Sequence, residues 1–324
     1  MSAISVKNLT KNYYIHRKEE GLTGSIKSIF SRKTETVEAV KDISFEIERG
    51  ELVGFIGSNG AGKTTTLKCL SGLLYPSQGT ITVAGFTPHE RKEAFLKKIS
   101  LIMGQKNQLW WELPAIETFR LNKEIYEIPD KKYHDVVDSL SDLLDIKEIL
   151  HIQTRKLSLG QRMKAELVAA LLHSPEVLYL DEPTIGLDVV MQKAVRDFIG
   201  EYNKKYNATI LLTSHYMLDV QELAKRVIVI DHGQLLFDGP LSEIIKKYAD
   251  EKKIKIELTK KVDKKALQKI AKVTQYSDEV ATLTIERDKV AKATEAVLKK
   301  FPVHDLTVED LSIEEVIRNL FKDK

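Results

Sequence analysis

Eight residues constrain this chain more than any others: Gly57-Ser58-Asn59-Gly60-Ala61-Gly62-Lys63-Thr64. They fit the pattern G-x-x-x-x-G-K-[ST] without a departure. An apolar run, Glu51 to Ile56, reads as a buried strand entering the loop, and Thr64 to Leu74 reads as the helix leaving it. Glycines let the backbone fold tightly enough for successive N–H groups to face phosphate oxygens, and the helix N-terminus adds positive potential. In such a loop Lys63 reaches the β- and γ-phosphates, and the Thr64 hydroxyl sits on Mg²⁺. The chain is therefore expected to build an α/β domain around a bound nucleotide.

Composition sets the outer limits. At 324 residues one large and one small domain are expected. The formal net charge of +3 is too small to argue for nucleic acid. No apolar run approaches the roughly 20 residues that cross a bilayer. The start, Met1-Ser2-Ala3-Ile4, carries no signal-peptide pattern, so a cytoplasmic chain is expected. The single Cys69 cannot build a disulfide framework and reads as a buried core thiol.

Ile4 to Leu9 alternates apolar and polar residues, as a half-buried strand does, and Tyr13 follows it. That ring either stacks on an adenine or closes the core. From about Ile15 to Val37 a basic segment interrupts the strand pattern. Within it Leu22, Ile26, Ile29 and Phe30 share one helical face, packed on the domain or turned to a membrane or partner. Val40 to Ile47 and Thr80 to Val83 read as strands, Glu90 to Lys98 as a helix, and Ile99 to Met103 as a buried strand ending at Gln105. Residues 106–156 form a helical insertion, broken at Pro129-Asp130, that opens with the adjacent Trp110 and Trp111.

Leu157-Ser158-Leu159-Gly160-Gln161 then opens a helix through Leu172. Val177 to Leu180 is an apolar strand ending in Asp181-Glu182, the Walker B arrangement. Asp181 can hold the Mg²⁺ water shell, and Glu182 can polarise an attacking water. Gly186-Leu187-Asp188 makes the next turn, and Ile210 to Thr213 is a strand ending in Ser214-His215. Strands alternating with helices give an α/β domain with a mainly parallel central sheet, expected over residues 1–248. Past Tyr248 the chain turns lysine-rich, and residues 249–324 read as a small α+β domain of split-βαβ type without a catalytic constellation.

Taken together these residues resemble the ATPase subunit of ATP-binding cassette (ABC) transporters, over about Ser5 to Gly239. The likeness rests on an ordered set: Tyr13 as A-loop, Gly57 to Thr64, Gln105 as Q-loop, Leu157 to Gln161 as signature, Asp181-Glu182, Asp188 as D-loop and His215 as H-loop. It implies an ABC-type P-loop domain with an antiparallel β subdomain and ATP and Mg²⁺ as cofactors. Glu182, His215 and Lys63 are implied as catalytic. Tyr13, Gly57, Ser58, Asn59, Gly60, Ala61, Gly62, Lys63, Thr64, Thr65 and Gln105 are implied to bind the nucleotide, and Ser158, Gly160, Gln161 and Asp188 to do so across a head-to-tail dimer. Thr64, Gln105 and Asp181 are implied to hold the metal. The family's commonest signature is Leu-Ser-Gly-Gly-Gln, and this chain carries Leu159 in place of the first glycine.

The runs Met103 to Lys106, Trp110-Trp111 and Thr184 to Val190 are similar to single-domain ATPases of ABC-2 type exporters of drugs or amphipathic compounds. That likeness implies integral membrane permease partners, a second and identical ATPase subunit, no nucleic acid, and a peripheral place on the cytoplasmic face of the membrane. The segment around Leu22 to Phe30 also resembles one in exporters of O-antigen and teichoic acid, which makes a polysaccharide exporter the alternative. Non-transport ABC ATPases of chromosomes or ribosomes are a third class. Chromosome-type members place long coiled coils between the nucleotide motifs, and no sustained heptads occur here. Adjacent indoles in extended chain point to opposite sides, so at least one of Trp110 and Trp111 is expected to be exposed, beside a groove that receives a permease.

Overall fold

The computed structural model describes residues 2–16, 34–248 and 250–322. Two compact units result, Met1–Gly239 and Pro240–Lys324.

The first unit is built on two sheets. β1 (Ser2–His16), β2 (Thr34–Glu48) and β4 (Gln78–Val83) form an antiparallel sheet in the order β2-β1-β4. β1 and β2 stay paired as far as His16 and Thr34. The basic segment between them is therefore 17–33, shorter than the 15–37 expected, and the helix expected over Leu22 to Phe30 lies outside the described residues. The second sheet has the order β5-β6-β7-β3-β8-β9, from β3 (Leu52–Gly57), β5 (Ile99–Met103), β6 (Val177–Asp181), β7 (Thr209–Thr213), β8 (Arg226–Asp231) and β9 (Gln234–Pro240). The pairs among β5, β6, β7, β3 and β8 are parallel. β6 and β7 are buried along their whole length, which is why they read as unbroken apolar runs and not as alternating ones.

One core lies between these sheets and α1 (Lys63–Leu70). There Ile4, Ile43, Ile47 and Val83 meet Phe55, Leu67, Leu70 and Tyr179. Cys69 is buried in it as expected, and burial pushes its thiol up to about 11. The helix expected over Glu90 to Lys98 is instead a 3₁₀ turn, Pro88–Glu90, and the short α2 (Glu93–Leu96); Arg91 adopts a left-handed conformation (φ 49°) between them and breaks the run.

The insertion holds α3 (Ala115–Ile125) and α4 (Asp130–Leu143), separated at Pro129. Its ends are stitched together, Thr154 N–H donating to Leu113 O and Arg155 N–H to Trp111 O, both at 3.0 Å. α5 (Leu159–Leu171) and α6 (Val189–Tyr206) follow, and α7 (Met217–Leu223) is a seven-residue helix too short for a periodic signal.

The second unit begins at Pro240 and not after Tyr248, because α8 (Leu241–Tyr248) packs against α11 (Ile313–Lys322). Between them run β10 (Glu251–Leu258), α9 (Lys264–Gln268), β11 (Lys272–Tyr276), β12 (Val280–Glu286), α10 (Val290–Lys300) and β13 (Val303–Asp310). The antiparallel order β11-β12-β10-β13 is that of a split-βαβ sheet. Edge strand β11 has no fully buried residue, so its sequence carries little apolar alternation.

Candidate active site

The phosphate loop leaves the C-terminal end of β3 and enters α1. Gly62 stands just before the helix at φ 104°, and a Cβ there would lie 2.4 Å from the Ala39 carbonyl oxygen. Both the backbone conformation and that approach demand glycine. Lys63 folds back over the loop, its Nζ donating to the carbonyls of Gly57 at 2.8 Å and Ser58 at 3.0 Å. Burial pulls the lysine pKa down, opposed by the negative charges of Glu182 and Asp181. Residues 59–65 line an open cavity of about 330 Å³ together with Ala39, Gln105, Glu182 and His215.

Parallel register brings the acidic pair to this loop. Met103, Asp181 and Thr213 lie side by side across β5, β6 and β7. Asp181 Oδ2 accepts the Thr64 hydroxyl at 2.8 Å, and Oδ1 accepts the Thr213 hydroxyl at 2.7 Å. Glu182 then turns into the left-handed region (φ 57°), uncommon for a residue with a side chain, and its N–H donates to the Thr213 carbonyl and hydroxyl, both at 3.1 Å. Its carboxylate faces His215 Nε2 at 2.7 Å and accepts from Gln105 Nε2 at 3.2 Å. Gly104 makes this approach possible, since a Cβ on it would stand 2.0 Å from the Glu182 carbonyl oxygen.

Thr64 and Asp181 present adjacent hard oxygen donors, the set Mg²⁺ takes when it keeps waters and phosphate oxygens as its other ligands. Among the described residues no group of three or more His, Cys, Asp or Glu side chains could hold a metal unaided. The residues thus fit an ion that arrives with the nucleotide.

Three contributors had escaped the sequence reading. Thr213 holds both Asp181 and Glu182; its position at the end of a strand, beside Ser214-His215, was the available signal. Asp231 accepts from Ser58 Oγ at 2.5 Å and lies 2.7 Å from His232 Nδ1. Burial works against its charge, but those two hydrogen bonds and the histidine hold the carboxyl below its usual range. Asp219, on α7, gave no sequence signal.

Ser158, Gly160, Gln161 and Asp188 do not line the cavity. Ser158 caps α5 in a reciprocal box, Gln161 N–H donating to its Oγ at 3.2 Å and Ser158 N–H donating to Gln161 Oε1 at 2.9 Å. Asp188 caps α6, accepting Met191 N–H at 2.9 Å. Leu159 begins α5 beside the Gly186 turn, partly exposed, and Val189 and Val190 are exposed. Tyr13 lies on β1 opposite Val37, with Lys11 Nζ 5.5 Å from its ring centre, and it too is outside the cavity lining.

The chain is similar to known proteins over much of its length. Residues 40–185 match the ABC transporter family, and residues 250–309 match the family described as EvrA-like ABC transporter, C-terminal domain. The ABC transporter ATP-binding protein NatA of Bacillus subtilis is 35% identical over 66% of this chain and 87% of its own length. The bacitracin transport ATP-binding protein BcrA of Bacillus licheniformis is 34% identical over 65% and 67%. The methionine import ATP-binding protein MetN 2 of Enterococcus faecalis is 30% identical over 68% and 65%. A solved structure of the ATP-binding subunit of an ABC transporter superposes with a TM-score of 0.64 at 25% identity, over 76% of this chain and 94% of its own.

Proposed function

The chain belongs to the ABC transporter family as an ATP-binding, ATP-hydrolysing subunit, and on that premise we propose that it powers a separate ABC-2 type permease in outward transport. The observation that carries the catalytic part is the joined cluster Thr64–Asp181–Thr213–Glu182–His215 at the mouth of the phosphate-loop cavity. Lys63 and the loop N–H groups hold the β- and γ-phosphates of ATP. Glu182 accepts the proton of the attacking water, and His215 and Gln105 fix its carboxylate and contact the γ-phosphate. Thr64, Asp181 and Gln105 hold Mg²⁺, which when bound neutralises developing phosphate charge. Tyr13 stacks on the adenine.

Two subunits of this chain pair head to tail, so that Ser158, Gly160 and Gln161 of one reach the γ-phosphate held by the other. A helix N-terminus suits that anion. Asp188 connects the two sites. The permease is received at a groove of about 380 Å³ lined by Leu73, Arg91, Leu101, Gln108, Thr118 and Tyr126. Trp110 (56% exposed) lies beside it, its N–H donating to Thr118 Oγ1 at 3.4 Å, and Trp111 (48% exposed) lies over Arg162 of α5, its ring centre 5.6 Å away. The exposure of both indoles supports a partner face.

Among the described residues no helix is long and apolar enough to cross a membrane, which suits a subunit held to the cytoplasmic face by its permease. The longest helix of the insertion is 14 residues, which supports transport over a chromosomal role, since the latter requires long coiled coils there. The second unit supports dimerisation or regulation.

Glu182→Gln tests the proposal. The variant should bind ATP normally while steady-state hydrolysis falls by about 10² to 10⁴. Turnover near that of the wild type would remove Glu182 from its role. Inverted vesicles carrying the permease complex test direction: ATP-dependent accumulation means export, and ATP-dependent loss of preloaded substrate means import.

A further inference from the structure

Beneath the Glu182–His215 pair lies a carboxylate that the chemistry above does not use. Asp219 is 1% exposed and accepts hydrogen bonds from three separate segments. Oδ2 takes the Thr184 hydroxyl at 2.5 Å and the Ser214 hydroxyl at 2.6 Å, while Oδ1 takes Arg196 Nη1 at 3.0 Å. Arg196, from α6, is itself buried and ion-paired to Glu222 at 2.6 Å. A buried charge with three well-placed donors is held in a single geometry, because losing any of them leaves an unpaired group in a low-dielectric interior.

The identity of those donors matters more than their number. Thr184 stands two residues past Glu182, and Ser214 stands one residue before His215. Ser214 Oγ also accepts the Tyr216 N–H at 3.0 Å, and Asp219 N–H donates to the Tyr216 carbonyl at 3.0 Å. The turn carrying His215 is thereby closed on itself and fastened to Asp219 on both sides. One oxygen of Asp219 thus joins the backbone that carries the carboxylate to the backbone that carries the imidazole. From the sheet side Thr213 holds Glu182 together with Asp181.

We propose that Asp219 is a positioning residue that sets the distance between His215 and Glu182 for ATP hydrolysis. It touches neither nucleotide nor metal, and it acts through Ser214 and Thr184. The inference rests on the reading of Glu182 and His215 as the hydrolytic pair. Removing the acceptor lets the His215 turn drift from Glu182, and displacements near 1 Å at such a site cost about 100-fold in rate. The phosphate loop is not part of the network, so ATP affinity is unaffected.

The test is a double-mutant cycle on the full chain, with kcat and ATP affinity measured separately. Asp219→Asn should lower kcat by about 10- to 100-fold and leave the Kd for ATP within about twofold. Placed in a His215→Ala background it should lower kcat by less than about threefold, because its action passes through His215. Arg196→Lys, which keeps the buried charge, should lower the melting temperature with little change in kcat. Full additivity of Asp219→Asn with His215→Ala, or a kcat loss in Arg196→Lys as large as in Asp219→Asn, would overturn the proposal in favour of general destabilisation. If Asp219→Asn does not fold, Ser214→Ala is put through the same cycle with the same two outcomes. Wild-type turnover by His215→Ala alone would instead refute the role given to the pair, and with it the basis for the brace.

Discussion

The phosphate-loop residues and the signature residues of this chain are built in opposite ways. At the phosphate loop the polar side chains are bonded to one another across strands: Thr64 to Asp181, Asp181 to Thr213, Glu182 to His215 and Gln105. At the signature, Ser158 and Asp188 satisfy only the helices they begin, and Leu159, Val189 and Val190 are left exposed around them. The first group is a finished half-site, rigid because parallel register fixes it. The second is a surface that offers helix N-termini outward. On the proposed head-to-tail pairing, the two are halves of a composite site that a second copy would complete.

Within one subunit the groups are linked through Glu166 on α5, 2% exposed, which accepts the Gln108 N–H at 3.2 Å and lies 3.7 Å from Arg162. Gln108 is three residues past Gln105, so this contact ties the loop that meets Glu182 to the helix that carries Ser158.

The comparison can be broken most severely at the finished half. Gly104→Ala places a methyl group where the Glu182 carbonyl stands, 2.0 Å away, and must move one or the other. Hydrolysis should fall by about 10- to 100-fold while ATP binding persists. Unchanged kcat would mean the site tolerates motion that its hydrogen bonding denies.

A smaller effect is expected at the link. Burial pushes Glu166 up from 4.5 to about 6, with the Gln108 hydrogen bond and Arg162 pulling the other way. A raised carboxyl favours the protonated folded chain, so its stabilisation is full below about 4.5 and is lost as pH rises through about 6. Glu166→Gln keeps an acceptor for Gln108 and removes the titration. Its melting temperature, relative to the wild type, should therefore be higher at pH 8 than at pH 5. An equal difference at both pH values would place the Glu166 charge in a solvated setting.

The smallest effect concerns the second unit. A chain ending at Gly239 should bind ATP within about twofold of full length, since every residue of the phosphate-loop half lies before that point. If the folded truncation fails to bind ATP, the second unit takes part in the site.

Much of this was legible in the sequence, for identifiable reasons. β3, β6 and β7 are buried on both faces, so their apolar runs announced them and placed Asp181, Glu182 and His215 at strand ends. Asp219 was not legible and Thr213 only as a strand end, because a buried carboxylate and a bridging hydroxyl acquire their roles from register and from α7, which is too short to show a period. β11 carries little signal because an exposed edge strand needs no alternation. Arg91 broke an expected helix through a backbone conformation that composition does not reveal.

The central claim is that the signature surface serves the phosphate loop of another copy. ATP binding by monomeric Ser158→Arg measures it most directly, read alongside hydrolysis by this variant mixed with Lys63→Ala. The account predicts that Ser158→Arg monomers bind ATP with wild-type affinity yet do not hydrolyse it. Mixing with Lys63→Ala should then restore part of the activity, because one of the two composite sites regains both intact halves. Loss of ATP binding by the Ser158→Arg monomer would contradict the account, since Ser158 would then serve the nucleotide of its own chain.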